Sequence, residues 1–249
     1  MLEGLRSERR WQWAAYGKHP AARDYFKVGQ GFPLLDSFSG WVENGYQAVA
    51  AKVTARGMLR SWRFWTREAR RENVVCGVVR DSADSLGRPY PLLVMGTGPL
   101  KDWANHWDLV PLVCDGAWGQ MEYLGARPFA DLRKLEEEVQ GIRPPNAGWS
   151  DLTSARDKFA QLESHCVERL DRQALSLSEN MESVIPLDQG TSEDPVQLIG
   201  LCHYLVKSRT EIMPNVIFMG GTLDKTYCAF FRRPLTVSDF VQLWSLPEG

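Results

Sequence analysis

Val74-Val75-Cys76-Gly77-Val78-Val79-Arg80-Asp81-Ser82-Ala83-Asp84-Ser85-Leu86-Gly87-Arg88-Pro89-Tyr90-Pro91-Leu92-Leu93-Val94 is the stretch from which the fold is read. Val74, Val75, Val78 and Val79 are stiff at χ1 and suit a pleated, buried strand, and Leu92-Leu93-Val94 supplies the partner run. A hairpin is therefore predicted. Its connection is longer than a tight turn needs and carries the carboxylates of Asp81 and Asp84, the hydroxyls of Ser82 and Ser85 and the guanidinium of Arg88. Gly87 can take the positive φ at which the chain reverses. Such a loop either recognises something or holds itself together through an Asp–Arg pair.

Outward from the hairpin, Trp11 to Tyr16 alternates as an opening strand leading into a Gly17-Lys18-His19-Pro20 turn. Pro33 fits a first helical turn, and Leu34, Leu35, Phe38, Trp41, Val42, Tyr46, Val49 and Val53 recur at helical spacing until Gly57. Leu59 to Thr66 returns to strand character, with Trp62, Phe64 and Thr66 on one face and Arg63 and Trp65 on the other. Helices are predicted over Trp103–Gly125, with Pro111 near the start of its main segment, and over Phe129–Val139. Leu152, Phe159, Leu162, Cys166 and Leu170 suggest one further helix.

The Pro144-Pro145 and Asn146-Ala147-Gly148 punctuation suggests a division into residues 1–142 and a C-terminal α/β extension, 143–249, packed on the same sheet or forming a sub-domain. In that extension a strand at Ser183–Leu187, a helix at Pro195–Ser208 and a hairpin of Asn215–Met219 with Thr226–Phe231 are expected. A closing helix spans Thr236–Leu246, with Thr236 as N-cap and Asp239 at the capping-box position. The fold class is α/β or α+β, a largely antiparallel or mixed sheet built from hairpins and flanked by helices.

Composition narrows the function. The 249 residues are 44% hydrophobic, enough for a real core, and 29 basic against 31 acidic residues predict no polyanion partner. Nucleic-acid binding and direct membrane insertion are not expected. Met1–Arg10 leads into no apolar signal segment, so a cytoplasmic protein is predicted. Cys76, Cys114, Cys166, Cys202 and Cys228 are odd in number and scattered in apolar runs, which suits reduced thiols.

The chemical groups do not converge into a familiar reaction centre. His19, His106, His165 and His203 have no close ligand at metal spacing, and no Gly-x-Ser-x-Gly is present. Gly96-Thr97-Gly98 and Gly220-Gly221-Thr222 lack the Lys of a phosphate loop and read as turns. Asp81 and Asp84 would bind a divalent cation only with further oxygen ligands. No catalytic residue, metal or cofactor is assigned, and a non-enzyme is expected. Ten Trp are present, eight of them in the first half, and Trp62-Arg63-Phe64-Trp65 places hot-spot residue types on both faces of a strand.

Three segments together carry a resemblance. Gly77-Val78 through Asp81-Ser82-Ala83-Asp84-Ser85-Leu86-Gly87-Arg88 to Tyr90-Pro91-Leu92 resembles the signature of the TagF/ImpM family, accessory proteins of bacterial type VI secretion systems. Tyr16-Gly17-Lys18-His19-Pro20-Ala21-Ala22-Arg23-Asp24-Tyr25-Phe26 is similar to that family's opening, and Ser61-Trp62-Arg63-Phe64 to its Trp-Arg-Phe strand. Arg80-Asp81 and Arg23 depart from the usual pattern. The resemblance implies a non-enzymatic regulator that restrains or tunes apparatus assembly after translation. It would bind secretion components, such as a forkhead-associated-domain protein, and be recruited from the cytoplasm to the inner-membrane face of the apparatus. Lys18, Arg23, Asp24, Trp62, Arg63, Asp84, Gly87 and Arg88 are the candidate partner-binding or structural residues. The alternative is an enzyme or small-ligand domain in which the Asp84/Arg88 loop and the Lys18–Asp24 turn meet to form a polar pocket.

Overall fold

The computed structural model describes residues 10–50, 59–70, 72–159, 164–187, 194–210 and 212–247. In chain order these form β1 (Gln12–Gly17), β2 (Phe26–Gly29), α1 (Pro33–Ala50), β3 (Ser61–Arg67), β4 (Asn73–Arg80) and β5 (Leu92–Pro99). There follow a 3-10 helix (Trp103–Leu109), α2 (Val110–Ala126), α3 (Leu132–Gln140), α4 (Trp149–Phe159), α5 (Ser164–Glu179) and β6 (Glu182–Pro186). The chain closes with α6 (Pro195–Arg209), β7 (Val216–Gly221), β8 (Thr226–Phe231) and α7 (Val237–Trp244).

The strands make one sheet in the order β2-β1-β5-β4-β3-β7-β8-β6, with eight strands and every pairing antiparallel. The fold is therefore α+β. The predicted hairpin is its centre, with Val78 opposite Val94 and Val79 opposite Leu93. Neither β4 nor β5 alternates apolar with polar, because both faces of the sheet are covered. Val75, Val79, Leu93 and Met95 pack with α1 and α7, while Val74, Cys76, Val78 and Val94 pack with the 3-10 helix, α2, α3 and α6.

The alternation read in β3 holds. Trp62 and Phe64 enter the α1/α7 layer, and Phe64 stacks on Phe38 with ring centroids 4.8 Å apart. Trp65 enters the other layer. Residues 143–249 contribute β6, β7 and β8, and β7 pairs directly with β3, Trp65 lying opposite Ile217. The Asp239 carboxylate accepts the Thr236 amide at 2.7 Å, as the capping box requires, and Arg233 grips the same carboxylate through two bonds of 2.7 Å.

Several expectations are corrected. Gly96-Thr97-Gly98 is not a turn but the continuation of β5, and Gly220-Gly221 closes β7. The glycines of β5 make room for indoles: a Cβ on Gly96 would lie 2.0 Å from the Trp13 ring and one on Gly98 2.5 Å from the Trp11 ring. Those two rings stack at 5.0 Å on the strand. The single helix expected around Leu152–Leu170 is replaced by α4 and α5, and residues 160–163 between them lie outside the described residues. α3 begins at Leu132 because Asp131 caps it, accepting the Lys134 amide at 2.9 Å. The short edge strand β2 was not anticipated. Val53 and Gly57 lie outside the described residues.

Cys76, Cys114, Cys202 and Cys228 are free and buried, and burial pushes the thiols of Cys76 and Cys228 well above the usual range. Such thiols are poor nucleophiles. No helix among the described residues is long and apolar enough to cross a membrane.

Candidate functional site

Antiparallel order brings the β1–β2 connection and the β4–β5 connection to the same end of the sheet, because β1 pairs with β5 and Gly17 lies opposite Leu92. The backbone then stitches the two connections together. The Lys18 amide donates to the Pro91 carbonyl at 3.4 Å and the Ser85 amide to the Ala22 carbonyl at 2.9 Å. Within the longer connection, Ala83 bridges to Pro89, the Gly87 amide donates to the Asp84 carbonyl at 2.9 Å, and Gly87 takes φ +76° as expected.

Asp84 is the hub. Its side chain has no exposed surface, and its two oxygens receive four donors. Oδ1 accepts the amides of Leu86 and Arg88, each at 3.0 Å, in an Asx-type turn. Oδ2 accepts Lys18 Nζ at 3.0 Å and Arg88 Nε at 2.7 Å. Burial raises the carboxyl pKa, but the Arg88 amide, the Lys18 ammonium, the Arg88 guanidinium and the Leu86 amide outweigh it. Together they hold Asp84 well below its ordinary value of 3.8. The carboxylate is thus ionised and fully occupied.

Lys18 is equally buried, and its ammonium also lies 4.7 Å from the Tyr25 ring centroid. Tyr90 sits beneath the junction with only 2% of its surface exposed, and Tyr25 and Tyr46 meet its ring edge-on at 4.6 and 5.0 Å. Arg88 reaches back across the junction: one terminal nitrogen bonds the Arg23 carbonyl and lies 3.8 Å from Asp24 Oδ2. Asp24 Oδ1 accepts the amide of Tyr25 at 2.8 Å.

Lys18, Arg23, Asp24, Asp84, Gly87 and Arg88 are therefore brought together; Trp62 and Arg63 are not. Trp62 is completely buried in the α1/α7 layer, with no surface to offer a partner. Arg63 is clamped to α2, its Nε and one terminal nitrogen bonding both oxygens of Glu122 at 2.7 and 2.8 Å and the other terminal nitrogen bonding Asp115 at 2.8 Å. These two residues hold layers to the sheet.

Three supporting residues were not among the candidates. His19 is buried, its Nδ1 accepting the Ala21 amide at 3.0 Å and its Nε2 bonding the Leu124 carbonyl at 3.1 Å, so the first turn is tied to the end of α2. Burial lowers its pKa, which keeps the ring neutral. Asp81 does not join Asp84 as a cation site; it accepts the Trp244 indole N–H at 2.8 Å and the Arg60 amide at 2.9 Å. That anchors the loop to α7. Tyr46 of α1 donates to the Pro89 carbonyl at 3.0 Å. Two carboxylates three residues apart in sequence give no sign that they face different elements.

What remains accessible is the loop tip and its flank: Leu86 is 67% and Tyr25 54% exposed, with Arg23, Ser85 and Arg88 beside them. A single antiparallel sheet between helical layers, with two connections locked at one end around a buried carboxylate, defines an α+β protein that presents a rigid polar junction. Residues 14–140, which contain all three motifs, match the model of the TagF N-terminal domain, type VI secretion system-associated. This match takes in just over half of the chain, which therefore belongs to the TagF family. The fold is similar to the crystal structure of PA0076 from Pseudomonas aeruginosa PAO1, with a TM-score of 0.55 and 16% sequence identity over 95% of this chain and 96% of that one. No curated protein matches the chain in sequence.

Proposed function

We propose that this type VI secretion-associated protein is a non-enzymatic regulator, acting after translation by docking the signature-loop end of its sheet onto other secretion components and so tuning apparatus assembly. A forkhead-associated-domain protein of the system is one such component. It would meet this cytoplasmic protein at the inner-membrane face of the apparatus. One observation carries the reading. The Asp84 hub uses its whole hydrogen-bonding capacity internally, and what it holds in place is an exposed tip, Leu86, Arg88 and Tyr25. A pre-organised exposed tip lowers the entropy lost when a partner binds. A carboxylate saturated by four donors has no capacity left to bind a small ligand or move a proton, which argues against the pocket reading.

Leu86→Asp tests this. The side chain is exposed, so thermal unfolding is expected to stay within a degree or two of the unaltered chain, as surface changes do. Capture of secretion components by the tagged whole chain from its native cell should fall at least about tenfold, the effect of losing one interface anchor. Equal recovery of the same components would remove the loop from the interface.

A further inference from the structure

We infer that the partner offers this surface an acidic side chain next to an apolar one, received by Arg23 and Arg88; the inference rests on the docking reading above and adds the chemistry of the partner. The junction contains three cations, Lys18, Arg23 and Arg88, and three carboxylates, Asp24, Asp81 and Asp84, with Glu43 acting on Tyr90 beneath it; Asp81 is occupied by the Trp244 indole and the Arg60 amide. Asp84 is shared by Lys18 and Arg88, and Asp24 lies at the longer distance of 3.8 Å from Arg88. Arg23 is thus left at the exposed rim with no carboxylate partner among the described residues, and Arg88 with Asp24 only at the longer distance.

The two arginines are suited to different parts of the task. Arg88 Nε is held on Asp84 and one terminal nitrogen on the Arg23 carbonyl, so the guanidinium is fixed although its side chain is 49% exposed. Its other terminal nitrogen has no hydrogen-bond partner among the described residues. A guanidinium fixed in this way loses little rotamer freedom when it donates to a carboxylate. Arg23 is exposed, and its side chain makes no hydrogen bond or ion pair among the described residues. Leu86 and Tyr25 supply apolar surface on either side.

A protein segment fits this patch better than a membrane surface. Anionic leaflets are gripped by clusters of roughly four to eight basic residues, whereas here two exposed arginines flank an aspartate in a chain of formal net charge −2.

A random peptide library displayed on beads and panned against the pure whole chain tests the inference. Selected peptides should carry Asp or Glu adjacent to an apolar residue, and changing that acid to its amide should weaken binding by about tenfold or more. Arg23→Glu should do the same without altering thermal unfolding, since nothing in the fold depends on that side chain; Arg88→Gln is the second variant. Failure to select peptides, selection without acidic enrichment, binding within about twofold for both variants, or equal binding to phosphatidylglycerol vesicles would each overturn it. If Leu86→Asp abolishes capture of secretion components while Arg23→Glu and Arg88→Gln do not, the docking reading stands and the acidic partner falls. If Leu86→Asp has no effect, the docking reading itself has failed.

Discussion

Asp84→Ala is expected to lower the thermal unfolding midpoint by roughly 10 °C, the scale set by removing one member of a buried ion pair in a chain of this size. The side chain removed has no exposed surface, and its loss leaves the Lys18 ammonium, 6% exposed, without a carboxylate partner. The amides of Leu86 and Arg88 lose their acceptor as well. The damage should be local in structure: amide exchange should accelerate across residues 82–90 and 18–25, while the β4–β5 ladder remains protected. Adding Lys18→Met to Asp84→Ala should recover part of the loss, because an apolar pair no longer leaves a buried charge uncompensated. An unchanged midpoint for Asp84→Ala, or no recovery in the double variant, would mean that the hub does not hold the two connections together.

Trp65→Ala should cost about 4 kcal/mol, the range for deleting a fully buried aromatic side chain. Trp65 packs edge-on to Trp103 and tilted against Trp107, each with centroids 5.9 Å away, and its indole N–H donates to His203 Nε2 at 3.3 Å. His203 is completely buried, and its Nδ1 bonds the Ile199 carbonyl at 2.8 Å. Burial brings its pKa down to about 4, although the Ile199 carbonyl and Asp108 oppose the shift. The imidazole therefore stays neutral and needs the Trp65 donor. Trp65→Phe keeps most of the ring area but orphans that nitrogen, so about 2 kcal/mol is expected, mostly from the unmet acceptor. Urea unfolding of the two variants separates packing from hydrogen bonding. A cost below about 1 kcal/mol for the Ala variant would contradict the packing described.

The central hairpin, the two faces of β3 and the α7 cap were legible in the sequence because each is a local pattern. β-branched runs, period-two alternation in Trp62-Arg63-Phe64-Trp65 and the Thr236/Asp239 spacing all act within a few residues. Gly96 and Gly98 were misread because a glycine that turns the chain and one that makes room for Trp13 and Trp11 are the same letter. β2 escaped because four residues are too few to show a period.

At the site, the Asp84–Arg88 pair lay within one loop and could be suspected. Lys18 could be suspected from its motif, but its pairing with Asp84 could not be read from spacing, since that ion pair depends on β1 lying beside β5. The same holds for Asp81 and Trp244, and for His19 and the end of α2. Trp62 and Arg63 misled for the opposite reason. Residue types common at interfaces are also the ones that fill cores and clamp helices, and only burial distinguishes these uses.

The most direct test of the account is hydrogen–deuterium exchange on the whole chain, alone and bound to the secretion component with which it co-purifies. Slowed exchange confined to residues 18–25 and 82–90, with α2, α3 and α6 unchanged, is the predicted result. Protection at the opposite end of the sheet, or on the helical layers with those two segments unaffected, would contradict it.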